Sequence, residues 1–451
     1  MAHSFLAAAR QRAAHAAEQE IQRLECSDQC DPLAFEPYAL KRDERPRWWG
    51  MVELADCLRE LTQDCQGQEA RIGVNLGGWL LCEAWMQETL FAKVPKSLRE
   101  DEFHLAQHLS SDDMAAHWST WITEADLEEI KRMGFNSVRL PIGFWVLDLS
   151  AVGGAIARKP AGPYTARRAW IATARPYHGP AEAIVTHCLE LCEKLGLKVN
   201  VDLHGAPGGQ NGEQACGFAD GEWEPSMWDV TGTLLCLTRI AKLWGRHAAF
   251  DALTFINEPS NRIPIETLVD FYVRAYAATR PHTSATIFMP IYQRHWSDFI
   301  HCGFPPPHFA NVRYDCHLYQ CFGKGWQSLS LQDTLAKAQT GEGHWPCVHH
   351  LPDGARAVSE WSLRLPTWDP SFPMAEEVWA LSSAGRGGDV YEAYARAQMQ
   401  HYRKCGASSY FWTFKVDVPS RHKDGALGEL CWDARECVRR GWLDPRTPLQ
   451  P

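Results

Sequence analysis

Nowhere along its 451 positions does the chain hold a run of about 18 apolar residues, so it offers no helix able to cross a bilayer. Residues 1–30 are rich in Ala, Gln, Glu and Arg and lack the apolar stretch of a secretory signal; as given, the chain reads as intracellular. Positive charge is not in excess, because 55 acids against 45 bases leave a net charge of −10. Phosphate binding needs clustered cations, so neither nucleic acid nor an anionic membrane is an expected partner, and a neutral, hydroxyl-rich substrate suits the balance better. The sixteen cysteines are scattered. Cys26/Cys30 and Cys57/Cys65 lack His or Cys partners at zinc-site spacing, and Cys188 and Cys192, four apart in a helical pattern, read as small apolar residues. Reduced thiols and no metal centre are the expectation.

Tryptophan, in contrast, is plentiful. Twenty indoles exceed what a core needs, and indole faces pack well against the C–H faces of sugar rings. For any single Trp the core remains the simpler explanation.

Two regions differ in rhythm. Residues 1–68 combine a polar helical stretch, a Pro/Arg segment (Arg42–Trp49) and a short amphipathic pattern (Val52–Leu61), and they read as an extension of unknown role. From residue 69 to 451, short apolar runs alternate with helical patterns, the signature of βα units. Candidate strands are Arg71–Leu76, Ser137–Leu140, Lys198–Leu203, Leu253–Asn257, Thr286–Pro290, Val312–His317, Ala355–Ser359 and Ser409–Phe414. Candidate helices between them include Thr123–Met133, with Thr123 and Asp126 spaced as a capping pair, Glu182–Leu195 and Ile265–Ala278. Eight strands with interleaved helices fit a (β/α)8 TIM barrel with long loop insertions and an N-terminal helical extension. A doubly wound sheet is the rival, but no Gly-rich phosphate fingerprint follows the first strand. Two stretches are too long for ordinary βα loops: 149–178, with five Lys/Arg, and 362–390, rich in Pro, Gly and Ser.

Polar residues collect where barrel enzymes build their sites, at the C-terminal ends of the strands. Glu83 follows the first, Arg139 lies on the second, Asp202 and His204 on the third, and Asn257-Glu258 end the fourth. His317 and Tyr319 close the sixth, Glu360 the seventh, and Trp412 lies within the eighth. Taken singly, Glu258 or Glu360 reads as a salt-bridge partner. As a pair they sit on strands three apart in a ring of eight, so they face each other across the mouth. Opposed carboxylates are what glycoside hydrolysis requires, one protonating the leaving oxygen while the other attacks the anomeric carbon.

The motifs carry a resemblance. Gly73-Val-Asn-Leu-Gly-Gly-Trp-Leu-Leu-Cys-Glu83-Ala-Trp85 resembles the opening strand of family five glycoside hydrolases, in the exo-β-1,3-glucanase branch. So do His117-Trp-Ser-Thr-Trp-Ile-Thr-Glu124 with Asn136-Ser-Val-Arg139, Val201-Asp-Leu-His204-Gly-Ala-Pro-Gly-Gly-Gln210, Asn257-Glu258-Pro259, Asp315-Cys-His317-Leu-Tyr319, Ser359-Glu360-Trp361 and Phe411-Trp412-Thr-Phe-Lys415. The match spans roughly 70–445 with the motifs in the family's order.

That resemblance implies Glu258 as acid/base and Glu360 as nucleophile of a retaining, double-displacement β-glucosidase that needs neither metal nor organic cofactor. It implies Arg139 and Tyr319 holding Glu360 ionised, and Asn257 bonding the sugar 2-hydroxyl. It further implies His204 and His317 lining the reacting subsite, Glu83 on the outer hydroxyls and Trp412 as the floor, with a β-glucan or β-glucoside as substrate of a monomeric enzyme. Three positions depart from the pattern: Cys316 where a second His is frequent, Val416-Asp417 after the last-strand Lys, and Ser359 where Gly is usual. Two rival functions stay open at the level of sequence. One is an intracellular β-glucosidase or endo-glycosidase acting on a glycolipid such as glucosylceramide or a sterol glucoside; the other is a non-catalytic carbohydrate-binding barrel.

Overall fold

The computed structural model describes residues 70–149, 177–294, 298–299, 302, 309–341, 355–419 and 427–447. The extension 1–68 and nearly all of the 149–178 segment lie outside the described residues.

Eight parallel strands close into a barrel in the order β1 to β8, with β8 pairing back onto β1. They are β1 (Ile72–Asn75), β2 (Ser137–Gly143), β3 (Lys198–Gly205), β4 (Phe250–Thr254), β5 (Thr286–Pro290), β6 (Val312–Leu318), β7 (Arg356–Trp361) and β8 (Ser408–Phe411). All eight expected strands are present. Helices pack outside them, among them α1 (Glu102–His108), α2 (Ser111–Trp121), α3 (Glu124–Met133), α4 (Glu182–Leu195), α5 (Val230–Trp244), α6 (Ile265–Thr279), α7 (Leu331–Thr340), α8 (Pro373–Ser383) and α9 (Gly387–Lys404).

Local chemistry sets the boundaries of α3. Thr123 accepts from the Asp126 backbone N–H while Asp126 returns a bond to the Thr123 backbone, a complete capping box. Gly134 ends the helix with φ of 103°, a conformation glycine adopts without a Cβ penalty. The inner face of α3, Leu127, Ile130 and Met133, is buried against the barrel, and each such side chain contributes about 1.5–3 kcal/mol on leaving water.

The barrel interior is filled. Ala252, Phe288, Ala357 and Tyr410 form a buried cluster inside it. Gly73 on β1 makes room for this packing, since a Cβ there would lie 2.3 Å from the Tyr410 ring.

Three expectations need correction. The fourth strand stops at Thr254 rather than reaching Asn257. The chain still follows the strand direction, with Asn257 N–H donating to the Leu203 carbonyl at 3.1 Å, then turns at Glu258. The eighth strand ends at Phe411, so Trp412 lies just past it. The stretch 362–390 is not one long loop: α8 occupies its centre and α9 begins within it. Pro373 sits in the first turn of α8, where a missing N–H costs nothing.

Candidate active site

Arg139 organises the centre. Its guanidinium, fully buried on β2, is shared among four groups: Asn75 Oδ1 at 2.9 Å, Glu360 Oε1 at 2.8 Å, Asn257 Oδ1 at 2.8 Å and Asp202 Oδ2 at 3.0 Å. Burial alone would lower its pKa, but Asp202, Glu360 and Asp315 outweigh that and push it up. A buried cation held by this many acceptors is a fixed positive charge against which the mouth is built.

Glu360, on β7, is bound on both oxygens. Arg139 holds Oε1, and the Tyr319 hydroxyl, just beyond β6, donates to Oε2 at 2.6 Å. Glu258 arrives from the opposite side in left-handed backbone with φ of 42°, a strained conformation costing about 1–3 kcal/mol for a side-chain-bearing residue. The loop after β3 enforces it: Asn211 Nδ2 donates to the Glu258 carbonyl at 3.0 Å and Gln210 Nε2 to that of Asn257 at 2.8 Å. One oxygen of Glu258 and one of Glu360 come within 4.8 Å of each other, with a His317 nitrogen inside the same radius.

The hydrogen-bond network fixes the protons of His317. Nε2 lies 2.9 Å from Ser359 Oγ, whose single proton goes to Asp315 Oδ2 at 2.6 Å, so Nε2 must donate. Nδ1 faces Glu258 Oε1 at 2.6 Å and Glu360 Oε2 at 3.2 Å. Both ring nitrogens therefore carry protons. Burial opposes that charge, yet Glu360 and Glu258 prevail and lift the His317 pKa to about 9.

His204 is oriented in the opposite sense. Its Nδ1 donates to Asp202 Oδ2 at 2.6 Å, which leaves Nε2 to accept from Asn257 Nδ2 at 3.3 Å. With Oδ1 on Arg139 and Nδ2 on His204, the Asn257 amide has a defined orientation and one spare N–H. Trp412 stacks on His204, centroids 5.5 Å apart and planes 10° from parallel.

Glu83, past β1, is buried with Oε2 bonded to Trp85 Nε1 at 2.9 Å and Oε1 unpartnered. Burial pushes its pKa up to about 7, only partly countered by His204 and Trp85. Such a carboxyl near neutrality can accept or donate to a ligand hydroxyl.

Glu83, His204, Asn257, Glu258, His317, Tyr319, Glu360 and Trp412 line one cavity of about 1080 Å³, together with Tyr292, Trp432 and other aromatics, while Arg139 lies buried beneath it. The structure thus brings all nine sequence-derived site residues together. Sequence reasoning missed Tyr292, Trp85 and Trp432, and missed that Asp315 and Ser359 join His317 in one chain of bonds. Tyr292 follows β5 directly, the position at which the other strands offer their polar residues; Trp432 carries no comparable signal.

Among the described residues, Glu258, His317 and Glu360 are the group whose ligand atoms lie close enough for a cation. The 2.6 Å contact between His317 and Glu258 is a hydrogen-bond distance. Two ligands about 2.1 Å from one tetrahedral zinc stand more than about 3 Å apart, so the trio is arranged for a shared proton.

No family model matches the chain. It is similar to the glucan 1,3-beta-glucosidase 2 of Wickerhamomyces anomalus, 30% identical over 403 residues that cover 84% of this chain and 83% of that protein. It is equally similar to a probable glucan 1,3-beta-glucosidase A of Aspergillus niger, 30% over 419 residues and 83% and 87% of the two chains. Against the glucan 1,3-beta-glucosidase of Pichia angusta the match is 31% over 278 residues, 59% of each. Among solved structures, a rutinosidase from Aspergillus niger superimposes with a TM-score of 0.58 at 16% identity, covering 83% of this chain and 98% of that one; this likeness bears on the fold.

Proposed function

The chain belongs to the glucan 1,3-beta-glucosidase family, and on that premise we propose that it is a retaining glycoside hydrolase cleaving β-1,3-glucan by double displacement. The observation that carries the reading is the approach of Glu258 and Glu360 oxygens to within 4.8 Å. That suits direct attack by one carboxylate, for which carboxyl groups about 5–5.5 Å apart are typical; inversion would need room for a water and a wider gap.

In the first step Glu360 bonds to the anomeric carbon while the glycosidic C–O bond breaks, and Glu258 gives its proton to the departing oxygen. In the second, water attacks the same carbon, Glu258 takes a proton from it, and Glu360 leaves as a carboxylate with the β configuration retained. Arg139 and Tyr319 keep Glu360 aimed and charged by donating to both its oxygens. The spare Asn257 N–H suits a sugar 2-hydroxyl, a bond that tightens as the oxocarbenium-like transition state forms. His204 and His317 line the reacting subsite, Trp412 forms its floor, and Glu83 offers its unpartnered oxygen to the outer hydroxyls.

The test is the product profile on a β-1,3-glucan, with Glu360→Gln alongside. Glucose released as the β anomer, and lost in the variant, is expected. An unchanged rate in Glu360→Gln, or release of the α anomer, would sink the assignment. A parallel panel with glucosylceramide separates the glycolipid alternative.

A further inference from the structure

We infer that Glu102, at the start of α1, is a positioning residue for Glu83. It fastens the backbone that carries Glu83 to a rigid post just past β2 and so fixes where the Glu83 carboxyl meets the sugar. The inference rests on the glycosidase reading of the site and adds to it a residue that touches no substrate.

β1 ends at Asn75 and Glu83 follows eight residues later, so its own strand does not place it. Glu83 N–H donates to Gln87 Oε1 at 3.0 Å, and Glu83 pairs with Asp101 in a short antiparallel bridge. One position earlier, Cys82 N–H donates to Glu102 Oε2 at 2.7 Å. Gln87 belongs to the same segment, whereas Asp101 and Glu102 tie the Glu83 turn to the start of a helix.

The other Glu102 oxygen accepts from Trp145 Nε1 at 3.0 Å. Trp145 is the post. Tyr177 stacks on it, centroids 3.9 Å apart and planes 4° from parallel. Gly143 and Gly217 make room for it, since a Cβ at either would come within 2.2 or 2.3 Å of the indole. A ring packed this closely holds one rotamer. Asp101 extends the tie to the β3 loop, with Oδ2 accepting from Ala219 N–H at 2.8 Å while Oδ1 caps α1 at His104 N–H, 2.9 Å away.

Asp101 and Glu102 are both fully buried, which is costly for neighbouring carboxyls. The cost shows at Glu102, whose pKa burial pushes up to about 8 against the pull of its two donors. A serine or an amide would tie two loops at less cost. Neither offers two acceptor oxygens on one planar fork, and glutamine would turn its NH2 toward one of the donors. Glu83 Oε1 has no partner within the protein, so its bond is made to a ligand hydroxyl, and a shift of the turn changes what it can reach.

The experiment uses the whole chain, Glu102→Gln, Trp145→Phe, Glu83→Ala and the double variant Glu83→Ala/Glu102→Gln. It reads kcat/KM on p-nitrophenyl β-glucoside and on its 4-deoxy and 6-deoxy analogues, together with backbone amide exchange. Glu102→Gln should lower kcat/KM on the glucoside about tenfold, the effect of a group moved slightly off its target. The analogue lacking the hydroxyl that Glu83 grips, identified as the one Glu83→Ala spares, should change by no more than about twofold. Exchange should quicken about tenfold at Cys82 and Glu83 and stay unchanged in β5 and β6 across the ring. Trp145→Phe, which keeps Glu102 but removes its post, should give the same pattern at about threefold, the worth of one hydrogen bond. The double variant should fall no more than about twofold below Glu83→Ala, as expected when two residues act through one contact. Equal losses on every substrate, additive losses in the double variant, or unchanged exchange at Cys82 and Glu83 each overturn the role. Local quickening in Glu102→Gln beside a parent inactive on every β-glucoside, or beside a Glu83→Ala as selective as the parent, refutes that reading of the site and leaves the placement of Glu83 standing.

Discussion

Ser359 Oγ stands 2.9 Å from His317 Nε2 and accepts its proton. The hydroxyl can do so because its own proton is committed to Asp315 Oδ2 at 2.6 Å. Asp315, Ser359 and His317 thereby form a line of bonds from the buried carboxylate of β6 to the two glutamates at the mouth, with the doubly protonated ring at its end.

Replacing Ser359 by Ala should remove the acceptor and weaken the hold on the charged ring. His317 would then lose its proton at lower pH, and the alkaline limb of the kcat/KM profile should move down while the acid limb stays. The measurement is the pH–rate profile on an aryl β-glucoside in both proteins; coincident alkaline limbs would refute the role. KM should change less than kcat, since the hydroxyl does not face the cavity.

Stability should fall as pH rises from mild acid. His317 has a folded pKa raised to about 9 from 6.5, so the folded state holds more protons between those values and its contribution is full below 6.5 and lost through 9. Glu83, raised to about 7, and Glu102, raised to about 8, both from 4.5 and both chiefly by burial, have the same sign: the folded state prefers them protonated, and alkali works against it. The melting temperature should therefore decline between pH 5 and pH 9, and His317→Gln should flatten the curve above about pH 6.5.

At Glu83, Gln is the informative replacement. It keeps the shape and a carbonyl acceptor but cannot ionise. The wild-type KM should change through about pH 7, where Glu83 titrates, and the change should vanish in Glu83→Gln. Glu83→Ala, which removes the group from the buried site, should lower kcat/KM by about 10–100-fold, the worth of one or two polar contacts.

Arg139→Ala should be the most damaging single change to the fold. It leaves Asp202 and Glu360 buried without their cation, a loss of about 3–5 kcal/mol for a broken buried pair. Denaturant midpoints measure it; a variant as stable as the parent would show that water or rearrangement replaces the guanidinium.

Much of this was legible in the sequence because the barrel repeats one local pattern. Each apolar run ending in a polar residue is a strand delivering a side chain to the same rim, so Arg139, His204, His317 and Glu360 could be placed from periodicity, and the ordered motifs supplied roles. What escaped depended on geometry without periodicity. Trp368 and Trp432 reach the cavity from segments outside the strands. The Asp315–Ser359–His317 line joins side chains of two neighbouring strands, which only the β6–β7 register brings together. The helices within 362–390 escaped because Pro, Gly and Ser mark helix ends as readily as loops.

Glu258 owes little of its placement to its own strand. Four residues past the end of β4, in left-handed backbone, it is held by side-chain amides of Gln210 and Asn211 on its neighbour. In the proposed mechanism the acid group is therefore open to retuning from a distance. Shortening or resequencing the β3 loop should shift where the proton is offered while both glutamates remain untouched, which would make positions 210 and 211 a handle for redesigning which leaving groups the protein accepts.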